Sequence, residues 1–362
     1  MFEVDHMKCM ENLSRTRLPN DVIMDYIKVY KSIGINQHNH EVLESDYDVI
    51  VRQTVRNDIY YFAKMFQIKV TDARFKSLIF KDVKPKNKDE KLIINLRNAF
   101  TKIHDESSTF ELLVTEILDL IKFLYGDVLA QSKLSWRRLN QAERSSSLLT
   151  SKNASTRESI DQLVQLFNKE LRKSEYELSY IILNFYIDFI NIKPFHEKNE
   201  EIGIILLFTL LVGNGFEVFE YISFFERLYK RRKEFEQAVV EANFNWELGY
   251  SQILPLHKLI LDIAMRSYQQ LSYLVRDYQF DQHLNKSDNV ENTINKLGDV
   301  FSKDDIRNIH PYISDSTINR TLKRLRDDKQ IRPMGKGRSA KWIKLVKTKN
   351  KKIHFEQLDL DI

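Results

Sequence analysis

Residues 192–213, IKPFHEKNEEIGIILLFTLLVG, join a short polar loop to a run of apolar residues. The run at 202–212 is too short to span a bilayer and has the length of a buried helix. A loop that enters a helix is a common phosphate site, because the first backbone N–H groups are unpaired and the helix dipole is positive there. This loop carries Lys198 together with three carboxylates: Glu197, Glu200 and Glu201. The sequence therefore predicts a loop-to-helix junction whose charge does not suit an anion.

Composition indicates a soluble, mainly helical protein. The chain has 362 residues, enough for two or three domains, and 43% of them are hydrophobic. Only 9 glycines and 6 prolines are present, so we expect long helices and few turns. The one cysteine, Cys9, excludes an internal disulfide framework and a cysteine-based zinc site. The N-terminus has no apolar stretch of signal-peptide length, and we expect a cytoplasmic protein with no membrane partner.

Charge is distributed unevenly along the chain. Residues 301–352 hold sixteen Lys/Arg and five Asp/Glu, a net +11, whereas the rest of the chain has a net −6. Such an asymmetry favours a polyanion as the partner of the C-terminal segment alone. A solvated basic tail is the alternative interpretation.

Apolar residues at helical spacing predict a series of helices separated by polar segments. The predicted helices cover residues 46–67, 109–125, about 155–172, about 175–191, about 201–214, 223–240 and 246–280. Gly213 and Gly215 are expected to end the helix at 201–214, and Ser223 is expected to cap the next one. The polar segments are a joint at 81–91, a hairpin or flap at 126–151 and a linker at 281–289.

The opening stretch resembles the core motif of Fic-domain proteins, I-H-P-F-x-[DE]-G-N-G-R-x-x-R-L-L. Three flanking segments resemble the same family: LSYIILNFYIDFINI at 178–192, YISFFERLYKRRKEFEQAVVEANFNWELGY at 221–250 and the flap-like LSWRRLNQ at 134–141. The resemblance covers roughly residues 100–275. It implies a mainly α fold, a Fic-type helical bundle with a small β-hairpin flap, preceded by a helical extension.

The structural positions of the motif are kept. Ile192, Pro194 and Phe195 match, and Phe195 is expected to anchor the loop in the core. The resemblance places Glu197 at the carboxylate that holds magnesium, and Asn199 matches the asparagine of the motif.

The chemical positions of the motif are replaced. Lys193 stands where the family has its catalytic histidine, and lysine is a poor base at neutral pH. Lys198 and Glu200 stand at the two glycines that let backbone N–H groups approach phosphate. Glu201 and Ile204 stand at the two arginines that bind nucleotide phosphates. Carboxylates in a first helical turn also stabilise the helix through its dipole, so this loop is expected to serve folding.

Two further positions bear on the site: Gln67 and His196. The inhibitory helix of many Fic proteins carries [ST]-x-x-x-E-[GN], and its nearest fit is AKMFQI at 63–68, which places Gln67 at the glutamate. His196 lies three positions from the lost histidine. It would be a replacement base if it pointed into the site, and a solvated or core-edge histidine otherwise. His196 and Glu197 alone are too few ligands for a metal.

Residues 301–345 resemble the winged-helix domains that often end Fic proteins. Ser302 is expected to cap a first helix, and Ser314 or Asp315 a second. The segments QIRPM, GKGRSA and KWIKL then form the wing. Spacing turns three residues of the second helix inward: Ile318, Leu322 and Leu325.

The outer face of the second helix is the predicted DNA-reading surface. Ser316 and Arg320 are the candidates for base contacts, because residues early in such a helix reach base edges. Phosphate contacts are assigned to four cations: Lys323, Arg324, Lys336 and Arg338. A winged helix used only for protein contacts is the alternative.

These observations define a domain plan and a main hypothesis. The plan is a helical extension at 1–99, a Fic-like domain at 100–280, a winged helix at 290–347 and a charged tail at 348–362. The main hypothesis is a DNA-binding regulator with an inactive transfer site and no cofactor, which binds double-stranded DNA; a homodimer stays open. One alternative is an active AMP transferase that uses Mg-ATP and magnesium held by Glu197. The other is a protein-interaction scaffold.

Overall fold

The computed structural model describes residues 9–81, 83–106, 112–138, 155–281, 285–335 and 341–345. Most of the predicted flap, the wing residues Lys336 and Arg338, and the tail at 348–362 lie outside these ranges. The chain divides into two compact units, Met1–Tyr273 and Leu274–Ile362. In the described part of the chain, no helix combines the length and apolarity that a bilayer span requires.

The described part of the first unit is built from α-helices. They are α1 (Asn20–Ile33), α2 (Asn36–Leu43), α3 (Tyr47–Met65), α4 (Asp72–Phe80), α5 (Lys88–Glu106), α6 (Val114–Tyr125), α7 (Arg157–Lys173), α8 (Leu178–Ile192), α9 (Asn199–Gly213), α10 (Val218–Tyr221), α11 (Phe224–Lys230), α12 (Arg232–Asn243) and most of α13 (Leu254–Asp281). Short 3-10 helices cover Cys9–Arg15, Glu44–Asp46, Gln131–Lys133 and Trp246–Leu248. The mainly α fold predicted from the sequence is confirmed.

Helices α8 and α9 form the centre of the core. Every residue from 202 to 212 is buried, as expected for a helix that is apolar on all sides. A Cβ added at Gly203 would lie 2.9 Å from Ile190 Cγ2 and 3.2 Å from Phe189 Cδ1. Gly203 therefore lets these two helices pack closely.

Several predicted boundaries change in the structure. The helix expected at 223–240 is two helices, because Arg231 has a non-helical backbone (φ −114°, ψ 26°). Ser223 caps the first of them and accepts from the Glu226 N–H at 3.0 Å. The joint expected at 81–91 is shorter, since Asn87 Oδ1 accepts from the Glu90 N–H at 2.8 Å and starts α5.

Besides the end of α13, the described residues of the second unit form three helices and a small sheet. The linker predicted at 281–289 is shorter than expected, because Asn285 Oδ1 accepts from the Ser287 N–H at 3.1 Å and caps the next helix. In order the elements are α14 (Lys286–Lys296), β1 (Val300–Phe301), α15 (Lys303–Ile309), α16 (Asp315–Asp327), β2 (Ile331–Pro333) and β3 (Trp342–Lys344). The strands pair antiparallel in the order β1-β3-β2.

The two helix starts predicted in the second unit are confirmed. Ser302 and Asp305 form a capping box at the start of α15. Ser314 caps α16 and accepts from the Thr317 N–H at 3.3 Å. The three residues predicted to face inward from α16, namely Ile318, Leu322 and Leu325, are buried.

Candidate functional site

The loop between α8 and α9 starts and ends on lysines in the left-handed region. Lys193 has φ 50° at the end of α8, and Lys198 has φ 67° before α9. This region favours glycine, and non-glycine residues adopt it at some cost. Lys198 thus takes, with a side chain, the backbone conformation that suits the glycine expected from the motif.

Asn199 closes this loop through its side-chain amide. Its Oδ1 accepts from the Phe195 N–H at 2.8 Å, and its Nδ2 donates to the Phe195 carbonyl at 2.9 Å. Phe195 is fully buried, in line with its predicted anchoring role. The kept positions of the motif therefore fix the shape of the loop.

The start of the flap segment packs on the same loop. Trp136 and Phe195 pair as an antiparallel bridge, and their rings stack with centroids 5.0 Å apart and planes 17° apart. Behind this pair, the Thr156 hydroxyl donates to the Pro194 carbonyl at 2.8 Å. These contacts hold the described part of the flap against the loop.

Arg137 clamps the loop by its backbone and its side chain. Its N–H donates to the Pro194 carbonyl at 2.7 Å. Its guanidinium donates to the Lys193 carbonyl at 2.9 Å and to the Ile192 carbonyl at 3.1 Å. Sequence reasoning did not single out Arg137; the flap-like segment that contains it was the available signal.

Two of the three carboxylates, Glu197 and Glu201, are paired with lysines. Glu197 forms an ion pair with Lys133, and this hydrogen bond holds the pKa of Glu197 below its usual value. Lys198 Nζ lies 2.7 Å from Glu201 Oε1, and 5.8 Å from the centroid of the Tyr125 ring. In the described ranges, no group of three or more His, Cys, Asp or Glu residues is placed to hold a metal ion.

The remaining predicted positions differ in where they lie. Lys193, His196 and Glu200 are exposed, and Ile204 is buried in the core. Gln67 follows the end of α3 with φ 54° and lines a cavity of about 170 Å³ together with Tyr60 and Phe75.

In the second unit, α16 presents a cationic face opposite its buried one. Ser316, Arg320, Lys323 and Arg324 are all exposed. The 100° step between residues puts Ser316, Arg320 and Lys323 on one side, away from Ile318 and Leu325. Arg324 lies at the edge of this face and pairs with Glu291 of α14 at 2.6 Å.

Comparisons with known proteins identify the fold. No protein-family model matches the chain, and no curated protein matches it. Solved structures of Fic proteins do match. The chain is 12% identical to a Fic family protein from Desulfovibrio desulfuricans G20, with a TM-score of 0.51, over 91% of this chain and 97% of that one. It is 14% identical to a Fic domain containing signaling protein from Bacteroides thetaiotaomicron VPI-5482, with a TM-score of 0.51, over 71% of this chain and 98% of that one. It is 13% identical to Fic-1 from C. elegans, with a TM-score of 0.52, over 71% of this chain and 74% of that one. The chain has the Fic fold.

Proposed function

We propose that the protein is a DNA-binding regulator whose Fic-fold body does not transfer nucleotides. In this proposal the second unit is a winged helix. Its order of helix, strand, two helices and two strands, with a β1-β3-β2 antiparallel sheet, is the order that such a domain requires. The helix that would enter the major groove is then α16.

The exposed cationic face of α16 carries the DNA-binding proposal. Ile318 and Leu325 bury one side of this helix in the unit, so the side with Arg320 and Lys323 is left for a ligand. The surrounding segment has a net charge of +11, which suits a polyanion. In this proposal Arg320 contacts a base edge, and Lys323 contacts phosphate.

The chemistry of the motif loop supports the absence of nucleotide transfer. Magnesium and ATP phosphates need an available carboxylate and several anion-binding donors at the start of α9. Glu200 and Glu201 place two negative charges in the first turn of the helix, and Lys198 already pairs with Glu201, so this helix start is poorly suited to phosphate. Ile204 is uncharged and buried, so its position cannot supply a cation to a phosphate. The residues present do not fit Mg-ATP.

Binding of the full-length protein to DNA tests the first part. We expect it to shift a labelled duplex taken from upstream of its own gene more strongly than an unrelated duplex. Arg320→Ala should weaken binding to the first duplex by about 1–3 kcal/mol, because a bidentate contact to guanine is worth that much. Arg52→Ala is the control, since it removes the same charge from an exposed position of α3.

Two outcomes contradict DNA reading by α16. One is equal weakening by Arg320→Ala and Arg52→Ala, which indicates charge alone. The other is the absence of binding at low salt, which favours the protein-interaction scaffold.

Incubation with labelled ATP and magnesium tests the second part. We expect no label on the protein itself or on lysate proteins, and no thermal shift on adding Mg-ATP. Lys193→His alone should not restore transfer, because the phosphate-binding residues stay changed. Label incorporated by the wild type and lost in Glu197→Ala would instead establish the active AMP transferase.

A further inference from the structure

Helix α1 carries apolar side chains on two of its sides. Val22, Tyr26 and Val29 are buried in the first unit. Its other side exposes four more: Ile23 (43%), Met24 (52%), Ile27 (55%) and Tyr30 (42%). A surface helix of a globular protein ordinarily has one apolar stripe, and the second needs a different explanation.

The exposed side chains form one continuous stripe. Ile23, Ile27 and Tyr30 follow the i, i+4, i+7 spacing that places residues above one another on a helix. Met24 lies beside Ile27 on the same side. Contiguous exposed apolar surface of this kind marks an interaction site, whereas single exposed apolar residues do not.

The charges beside the stripe change sign along the helix. Asp21 lies in the first turn, with its side chain 63% exposed, and Lys28 lies towards the other end, with its side chain 62% exposed. Lys31, in the last turn, is exposed as well. Two antiparallel copies of α1 would therefore place each acidic end beside the basic end of the other copy. The dipoles of the two helices would also point in opposite directions, which is the favourable arrangement.

The present partners of these charges do not prevent such pairing. Lys28 Nζ lies 2.9 Å from Asp25 Oδ1, and Lys258 Nζ lies 2.7 Å from Asp21 Oδ2. Exposed ion pairs of this kind contribute little to stability. The same charged side chains can therefore pair with a second copy of the chain at a small cost in free energy.

We infer that the exposed stripe of α1 is the interface of a two-fold homodimer, in which α1 packs antiparallel against α1 of a second copy. A two-fold interface uses the same surface on both chains, and it requires a surface that complements itself. The stripe meets this requirement through its apolar centre and its opposite charges at the two ends. The inference rests on the first unit and does not depend on DNA binding.

Sedimentation velocity of the full chain without DNA tests the interface. We expect a dimer, and Ile27→Lys should raise its dissociation constant at least about tenfold, which is about 1.4 kcal/mol. Phe244→Lys is the matched control, because Phe244 is 67% exposed on the same unit and lies outside the stripe. Circular dichroism checks that each variant is folded. A monomeric wild type, or a dimer that survives Ile27→Lys or is lost in Phe244→Lys, overturns the inference.

A charge exchange tests the antiparallel arrangement independently of the apolar centre. Lys28→Glu/Lys31→Glu makes the helix acidic throughout, and Asp21→Lys/Asp25→Lys makes it basic throughout. Each variant alone should dimerise at least about tenfold more weakly than the wild type. An equimolar mixture of the two should restore a dimer, because each acidic helix then meets a basic one. Self-association of either variant at wild-type strength, or failure of the mixture to associate, contradicts this arrangement.

Discussion

His104 is buried on α5 among apolar neighbours. Within the described residues, neither ring nitrogen has a hydrogen-bond partner, and the ring meets Phe208 edge-on with centroids 5.7 Å apart. Burial lowers the pKa of His104 from 6.5 to about 4, because the charged imidazolium loses its hydration. The unfolded chain therefore takes up this proton at a higher pH than the folded protein does.

This difference in pKa predicts a pH dependence of stability. The contribution of a neutral His104 is complete above about pH 6.5 and is lost as pH falls towards about 4, at about 1.4 kcal/mol per pH unit. His104→Leu should remove that loss. Urea unfolding of the wild type and of His104→Leu at pH 7 and pH 4.5 measures this loss of stability. Parallel stability curves for wild type and variant would show that the histidine stays neutral in both states or gains a partner.

Asp58 makes the stability of the fold depend on pH with the opposite sign. Its Oδ1 accepts from the Ser223 hydroxyl at 2.6 Å and from the Phe225 N–H at 2.9 Å, and Oδ2 has no partner among the described residues. Burial raises the pKa of Asp58 to about 8. Its contribution to stability is therefore complete below about pH 4 and is lost as pH rises towards about 8.

Asp58→Asn should make stability less dependent on pH between about 5 and 8, because the amide cannot ionise. Unfolding in urea across this range, compared with the wild type, gives the difference. The test is sharpest above pH 6.5, where His104 no longer titrates. A wild type that loses no stability relative to Asp58→Asn in this range would show that the carboxylate is ionised at little cost.

At the scale of elements, the α8–α9 loop acts as one anchored unit. Phe195 fills the core below it, and Asn199 joins its two ends. Phe195→Ala should lower the free energy of unfolding by about 3–5 kcal/mol, as large-to-small core substitutions do. Glu200→Gln, at an exposed position in the first turn of α9, should be nearly neutral and serves as the control. Thermal or urea unfolding decides; a Phe195→Ala protein of wild-type stability would mean that the loop does not depend on this anchor.

Elements whose signals are local could be predicted from the sequence. Ser302 and Ser314 start helices because a hydroxyl and a backbone N–H three residues away suffice to cap them. The inward face of α16 follows in the same way from spacing alone. The interruption at Arg231 could not be predicted, because Arg231 bonds both Glu234 nearby and Asp262 on α13. Such pairs form only once the helices are packed.

For the whole molecule, the motif resemblance predicted the fold but not the contacts of the site. The path of residues 192–213 and the burial of Phe195 follow from the apolar pattern and the kept motif positions. The pairing of Glu197 with Lys133, and the clamp made by Arg137, join residues more than fifty positions apart. No local sequence pattern indicates these long-range contacts. The burial of His104 and Asp58 belongs to the same class, because it depends on how several helices meet.

The stacked pair of Trp136 and Phe195 gives the loop its own fluorescent reporter. Trp136 is one of three tryptophans; Trp246 donates to the buried Asp188 at 2.7 Å, and Trp342 lies in β3 of the second unit. Emission from Trp136 should therefore depend on its contact with Phe195, whereas the other two indoles lie in other surroundings. In a protein that keeps Trp136 and carries phenylalanine at the other two positions, any separation of Trp136 from Phe195 would appear as a shift of the emission wavelength, which can be followed over time.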